Sequence, residues 1–131
     1  MEEASSGVIL IDTNVFVDFL RNYAPSIDFF ESLVGREGVL FSVITESELV
    51  AGKENNDPLK REKLTHFLHI WNKISLTNPV ALLAGDICRE YGLEIPDAVI
   101  AATALLNRAE IVTKNVKDFR KVPGLKIQTP Y

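Results

Sequence analysis

The chain has 131 residues, of which 24% are charged and 47% hydrophobic, and its net charge is −4 from 14 basic against 18 acidic side chains. That length and balance predict one globular domain over residues 1–131, and they exclude a disordered tail, which needs few apolar residues and high net charge. The longest uncharged apolar stretch, residues 98–107, is far short of the roughly 18–20 residues of a membrane span, and the net acidity argues against a simple binder of nucleic acid with a basic stripe.

From the N-terminus, Met1-Glu2-Glu3 lacks the basic and apolar regions of a signal peptide. With Cys88 as the single cysteine, no intramolecular disulfide is available. The expectation is a soluble, cytoplasmic protein. Residues 7–11 (Gly-Val-Ile-Leu-Ile) form an apolar run that stops at Asp12, the pattern of a buried parallel strand. A helix follows with Phe16, Phe19, Leu20 and Tyr23 on one face. Pro25 restarts the chain into a second helix that carries Ile27, Phe30 and Val34 and is closed by Gly35. Residues 38–42 read as the second strand, and Thr45 starts a helix that ends at Gly52. After a polar turn at residues 55–58 comes a long helix with Leu64, Phe67, Leu68 and Trp71 on one stripe.

A short third strand is expected at residues 74–76. Asn78-Pro79 has the cap-plus-proline pattern of a helix that buries Val80, Leu83, Ala84, Ile87 and Tyr91 and ends at Gly92. Pro96-Asp97 opens a further helix to about Arg108, before strands at residues 110–113 and 125–128. Strands separated by helical crossovers predict an α/β fold, a three-layer α/β/α sandwich on a mostly parallel sheet.

In such a sheet, ligands gather outside the carboxyl ends of the strands. Asp12 closes the first strand, Glu48 lies in the first turn after the second, and Asp97 opens the helix before the fourth, which Asn115 and Asp118 follow. Carboxylates gathered in one pocket repel each other, and a divalent cation relieves that repulsion. All-oxygen ligation suits Mg²⁺ or Mn²⁺. Each acid also has a plainer reading. Asp12 can cap the first helix, Thr45 and Glu48 match a capping box, and Asp97 suits a first helical turn. Glu46 and Glu48 are about 200° apart on a helix, so only one faces the pocket, and the apolar neighbours do not say which. His66 and His69 read as a surface pair without further ligands, and Cys88 as a structural thiol. The segment from Lys114 to Lys126 is locally basic, with Asp118 its one acid. Lys114, Lys117, Arg120 and Lys121 are the candidates for holding a phosphodiester backbone.

Together these residues resemble a PIN domain, in particular the small VapC-type toxin nucleases. The resemblance rests on residues 8–14 with Asp12, residues 42–49 with Thr45 and Glu48, residues 96–104 with Asp97, and residues 111–119 with Asn115 and Asp118. It selects Glu48 over Glu46. It departs at Asn115, where many members carry an Asp, so that Asn115, Asp118 or both complete the set of Asp12, Glu48 and Asp97, with one metal or two.

The resemblance implies a metal-dependent endoribonuclease, the toxin of a type II toxin–antitoxin pair, with RNA as substrate, a small antitoxin as partner and a homodimeric state. Asp12, Glu48, Asp97 and Asp118 are then the catalytic acids. Thr13, Asn14, Thr45 and Thr113 are the side chains that orient them. Two other readings share the motifs: a housekeeping RNA-processing nuclease, and a silent RNA-binding or scaffold module. A receiver-like domain would place its phosphoacceptor Asp at the end of a central strand, whereas Asp12 ends the first strand of the chain.

Overall fold

β-Branched and leucine side chains after Gly7 form strand β1 (Ile9–Ile11) in the computed structural model, which describes residues 7–131. Met1-Glu2-Glu3 lies outside the described residues. Four further strands, β2 (Val39–Ser42), β3 (Asn72–Ile74), β4 (Glu110–Val112) and β5 (Ile127–Gln128), join β1 in a five-stranded sheet of order β3-β2-β1-β4-β5. Every pairing is parallel. β1 is therefore the central strand, and Asp12 does end a central strand, although it is first in the chain.

Among the described residues, seven helices flank the sheet: α1 (Thr13–Leu20), α2 (Ala24–Leu33), α3 (Val43–Val50), α4 (Pro58–Leu68), α5 (Asn78–Tyr91), α6 (Ile95–Leu106) and the single turn α7 (Val116–Phe119). A 3₁₀ turn, Lys53–Asn56, links α3 to α4. Alternation along the strands divides the core in two. Leu10 and Ile111 point to one face, where Val80, Ala84 and Ile87 of α5 pack with Ala98 to Ala102 of α6 and with Phe119. Ile9, Ile11, Val39, Phe41 and Val112 point to the other, against Phe16 of α1, Phe30 and Leu33 of α2, and Leu64, Leu68 and Trp71 at α4. Each fully buried valine, leucine, isoleucine or phenylalanine among them contributes about 1.5–3 kcal/mol. This is the expected three-layer α/β/α arrangement. Among the described residues, no helix is long and apolar enough to cross a membrane.

Several expected boundaries move, each for a local reason. α1 ends in a Schellman motif: Asn22 sits at φ 61°, its N–H bonds the Phe19 carbonyl, and the Tyr23 N–H bonds that of Asp18. Tyr23 thereby leaves the helical stripe and becomes the N-cap of α2, so Tyr23 and Leu20 are exposed rather than inward. In α2 the buried residues are Ser26, Phe30 and Leu33, and Val34, just past the last turn, is 69% exposed. β3 falls at Asn72–Ile74 instead of residues 74–76. As an edge strand it carries the polar Asn72 and Lys73, which conceal it from a search for apolar runs. Thr77, not Asn78, caps α5, while Gly92 at φ 75° closes that helix in the left-handed conformation expected of it.

Candidate metal and nuclease site

Asp12 follows β1 directly. Its extended backbone (φ −71°, ψ 154°) makes it the N-cap of α1, with Oδ1 accepting from the Thr13 N–H at 2.8 Å. The cap reading is correct, yet it uses one oxygen only. Oδ2 accepts from the Thr113 hydroxyl at 2.7 Å. Asp12 is 4% exposed. Burial, chiefly, and the charges of Asp97 and Glu48 raise its pKa from 3.8 to about 6 against the lowering effect of these two hydrogen bonds.

Glu48 does not belong to a capping box. α3 begins at Val43, and its N-cap is Ser42, three residues before the expected cap at Thr45; the Ser42 Oγ accepts from the Ile44 N–H at 3.1 Å. Thr45 is thereby a fully buried helical residue. The Thr13 hydroxyl donates to Glu48 Oε1 at 2.8 Å and lies 2.9 Å from the Thr45 hydroxyl. Because Thr13 has one hydroxyl proton, Thr45 is the donor in that second contact. Thr13 thus joins both acids, Asp12 through its amide and Glu48 through its hydroxyl. Glu46 turns away and pairs with Lys73 of β3 at 3.0 Å. Of the two acids of α3, Glu48 is the one that shares Thr13 with Asp12.

Asp97, in the first turn of α6, is half-buried. Desolvation raises its pKa first, followed by the charges of Glu48, Asp118 and Glu94. Asp118 responds in the opposite direction. The Asn115 side-chain amide donates to its Oδ2 at 3.1 Å and, with Lys121 and Lys117, holds its carboxyl below the ordinary range. Asn115 therefore engages Asp118 instead of standing apart as an alternative to it. Its backbone N–H also donates to the Thr113 hydroxyl at 2.9 Å, and Asn14 Nδ2 reaches the same hydroxyl at 3.5 Å.

Asp12, Glu48, Asp97 and Asp118 thus share one electrostatic environment at the carboxyl edge of the sheet. Among the described residues, no three acidic side chains already enclose a point closely enough to hold an ion. The donor set nonetheless fits a hard divalent cation, being all carboxylate and amide oxygen, with two acids raised in part by their neighbours' charge.

Two residues of this neighbourhood escaped the sequence reading. Glu94 acts on Asp97 from just before α6. Asp18, four residues after Asn14 on α1, forms a 2.6 Å ion pair with Lys114, and its spacing from Asn14 was the available signal. Of the other basic candidates, Lys121 pairs with Asp118 at 3.5 Å, and Lys117 and Arg120 are exposed. His66 and His69 are exposed, with Glu62 4.0 Å from His66, and Cys88 packs against the α5–α6 core.

Residues 9–125 match the family model of the PIN domain. The chain is 30% identical over 128 residues to Ribonuclease VapC19 of Mycobacterium tuberculosis, covering 93% of this chain and 98% of that protein. Among solved structures, a chain of a toxin-antitoxin complex from Klebsiella pneumoniae superposes with a TM-score of 0.79 at 31% identity, over 94% of this chain and 98% of that one. The fold extends to DNA-bound VapBC from Salmonella typhimurium, with a TM-score of 0.82 at 22% identity over 95% of this chain and 98% of that one. With the acidic edge in place and the family model covering the chain from β1 through β4 and α7, this chain belongs to the PIN domain family.

Proposed function

We propose that the protein is a divalent-metal-dependent endoribonuclease, acting in the cytoplasm as the toxin of a type II toxin–antitoxin pair. The observation that supports it best is the mutual charge interaction of Asp12, Glu48 and Asp97, from three separate elements, at one edge of the sheet. The similarity to a ribonuclease and to a chain of a toxin-antitoxin complex supplies the substrate class and the partner.

In this reading Asp12, Glu48 and Asp97 hold the ion, and Asp118, oriented by Asn115, completes the set. Mg²⁺ or Mn²⁺ bound there supplies Lewis-acid polarisation of the phosphate and a water of lowered pKa. The chain's own work is positional. Thr13 and Thr113 fix Asp12 by both oxygens, Thr45 fixes Thr13, and Thr13 fixes Glu48. Lys117, Arg120 and Lys121, beside or just beyond Asp118, face solvent and suit the flanking phosphates of a single strand. A small antitoxin that covers the acidic edge would silence the enzyme, and a homodimer presents two such edges.

Water attacking phosphorus in line with the departing 3′-oxygen leaves a 5′-phosphate and a 3′-hydroxyl. Analysis of the ends of cleaved RNA tests the proposal. Products with a 2′,3′-cyclic phosphate would overturn it, because they require the RNA's own 2′-oxygen as nucleophile.

A further inference from the structure

We infer that Asp18 is a positioning residue that, through Lys114, fixes the segment carrying Thr113, Asn115 and Asp118 against the acidic site. Its catalytic consequence rests on the ribonuclease reading, whereas its structural consequence does not.

Asn14 and Asp18 are four residues apart on α1 and share one face. Both meet the chain where it leaves β4. The Lys114 N–H donates to Asn14 Oδ1 at 3.4 Å, and Asn14 Nδ2 donates to the Thr113 hydroxyl at 3.5 Å. These two bonds are long. The short contact is one helical turn on, where Lys114 Nζ lies 2.6 Å from Asp18 Oδ2. The Asp18 side chain is 15% exposed and that of Lys114 43%, so the pair is shielded on its carboxylate side, whereas both partners of every other ion pair among the described residues are at least 36% exposed. Shielded pairs are less screened than surface ones.

A second donor reinforces the carboxylate. The Tyr131 hydroxyl donates to the same Oδ2, and its ring packs edge-on against Tyr23 at 5.5 Å and Phe29 at 6.3 Å. Burial alone would raise the Asp18 carboxyl, but the bonds from Lys114 and Tyr131, with the charges of Lys114 and Arg21, hold it below its ordinary value. The ammonium of Lys114, a candidate for RNA backbone from sequence, is thus committed within the protein. What it anchors follows at once: Thr113 holds Asp12, and Asn115 holds Asp118. The helix after it, α7, has only four residues and little stability of its own.

The test combines Asp18→Asn, Lys114→Met and the double variant with two readouts. In amide hydrogen exchange of the metal-free protein, both single variants should speed exchange across residues 113–119 by about tenfold or more, with the double variant no faster than either. Exchange at that segment unchanged in Asp18→Asn overturns the inference. In RNA cleavage, both single variants should lower kcat by about tenfold with KM within about twofold and the salt dependence unaltered, and Asp18→Glu should restore part of the loss. A raised KM and a flatter salt dependence in Lys114→Met, with Asp18→Asn like wild type, would make Lys114 a phosphate contact and also overturn it. Wild-type protein that cuts no RNA defeats the ribonuclease reading alone, because the exchange experiment still decides the role of Asp18.

Discussion

The carboxylate of Asp12 caps α1 through one oxygen and takes the Thr113 hydroxyl on the other, yet burial still raises its pKa from 3.8 to about 6. Below about pH 4 it is protonated both folded and unfolded, and above about 6 it is ionised in both. Between those values the folded state retains a proton that the unfolded state loses, so its contribution to stability falls as pH rises. Asp12→Asn should therefore stabilise the metal-free protein by about 1–3 kcal/mol at pH 7–8, with no gain near pH 4. Urea unfolding in EDTA across that range measures it, and a variant less stable than wild type at pH 8 contradicts it. The two acids of α3 give a second prediction. Glu48→Gln should lower cleavage by about 10²-fold or more, while Glu46→Gln, which touches only the Lys73 pair, should stay within about threefold. From sequence the 200° separation showed that one acid faces the pocket, and only the resemblance, not the helical periodicity, indicated Glu48. That choice depends on where Thr13 stands, a contact between residues 13 and 48 that no local pattern encodes.

α3 shows how much a helix start decides. A capping box at Thr45 and the observed cap at Ser42 differ by three residues, nearly one turn, and that shift carries Thr45 into the core and frees Glu48 for the site. Ser42→Ala should cost about 1 kcal/mol in thermal or denaturant unfolding, the ordinary value of a lost side-chain cap. If Ser42→Ala is neutral, the cap assignment is wrong. Long helices and central strands could be read from their periodicity, because each buries a regular apolar face: Val80, Ala84 and Ile87 in α5 and the run of β1 are where the sequence put them. Elements with little to bury could not. β3 carries Asn72 and Lys73 at the sheet edge, and α7 is one turn ending on Phe119. The exit from α1 turned on a single left-handed asparagine, Asn22.

At the scale of the whole molecule, chain order and spatial order diverge. β1 comes first and lies in the middle, with β2 and β4 on either side. That arrangement brings Asp12, Glu48, Asp97 and Asp118 to one edge from positions more than a hundred residues apart. The acids could be found in sequence by their places at strand ends and helix starts, and the expectation that they meet rested on a parallel sheet. Thr13 and Thr113 were named as orienting side chains by the resemblance alone, but the acid and oxygen that each holds could not be read, since the bonds from Thr13 to Glu48 and from Thr113 to Asp12 join residues that only packing brings together. It is also at this scale that the net charge of −4 reconciles with the proposed RNA substrate, for four of the carboxylates gather where a cation would sit. The most direct test of that account is cleavage of a labelled mixed-sequence RNA by the partner-free protein with Mg²⁺, with Mn²⁺ and with EDTA, beside Asp12→Asn. The account predicts cutting with a divalent ion, none in EDTA, and a loss of about 10²-fold or more in the variant. Cutting that survives both EDTA and Asp12→Asn, or well-folded protein inert under both metals, would contradict it.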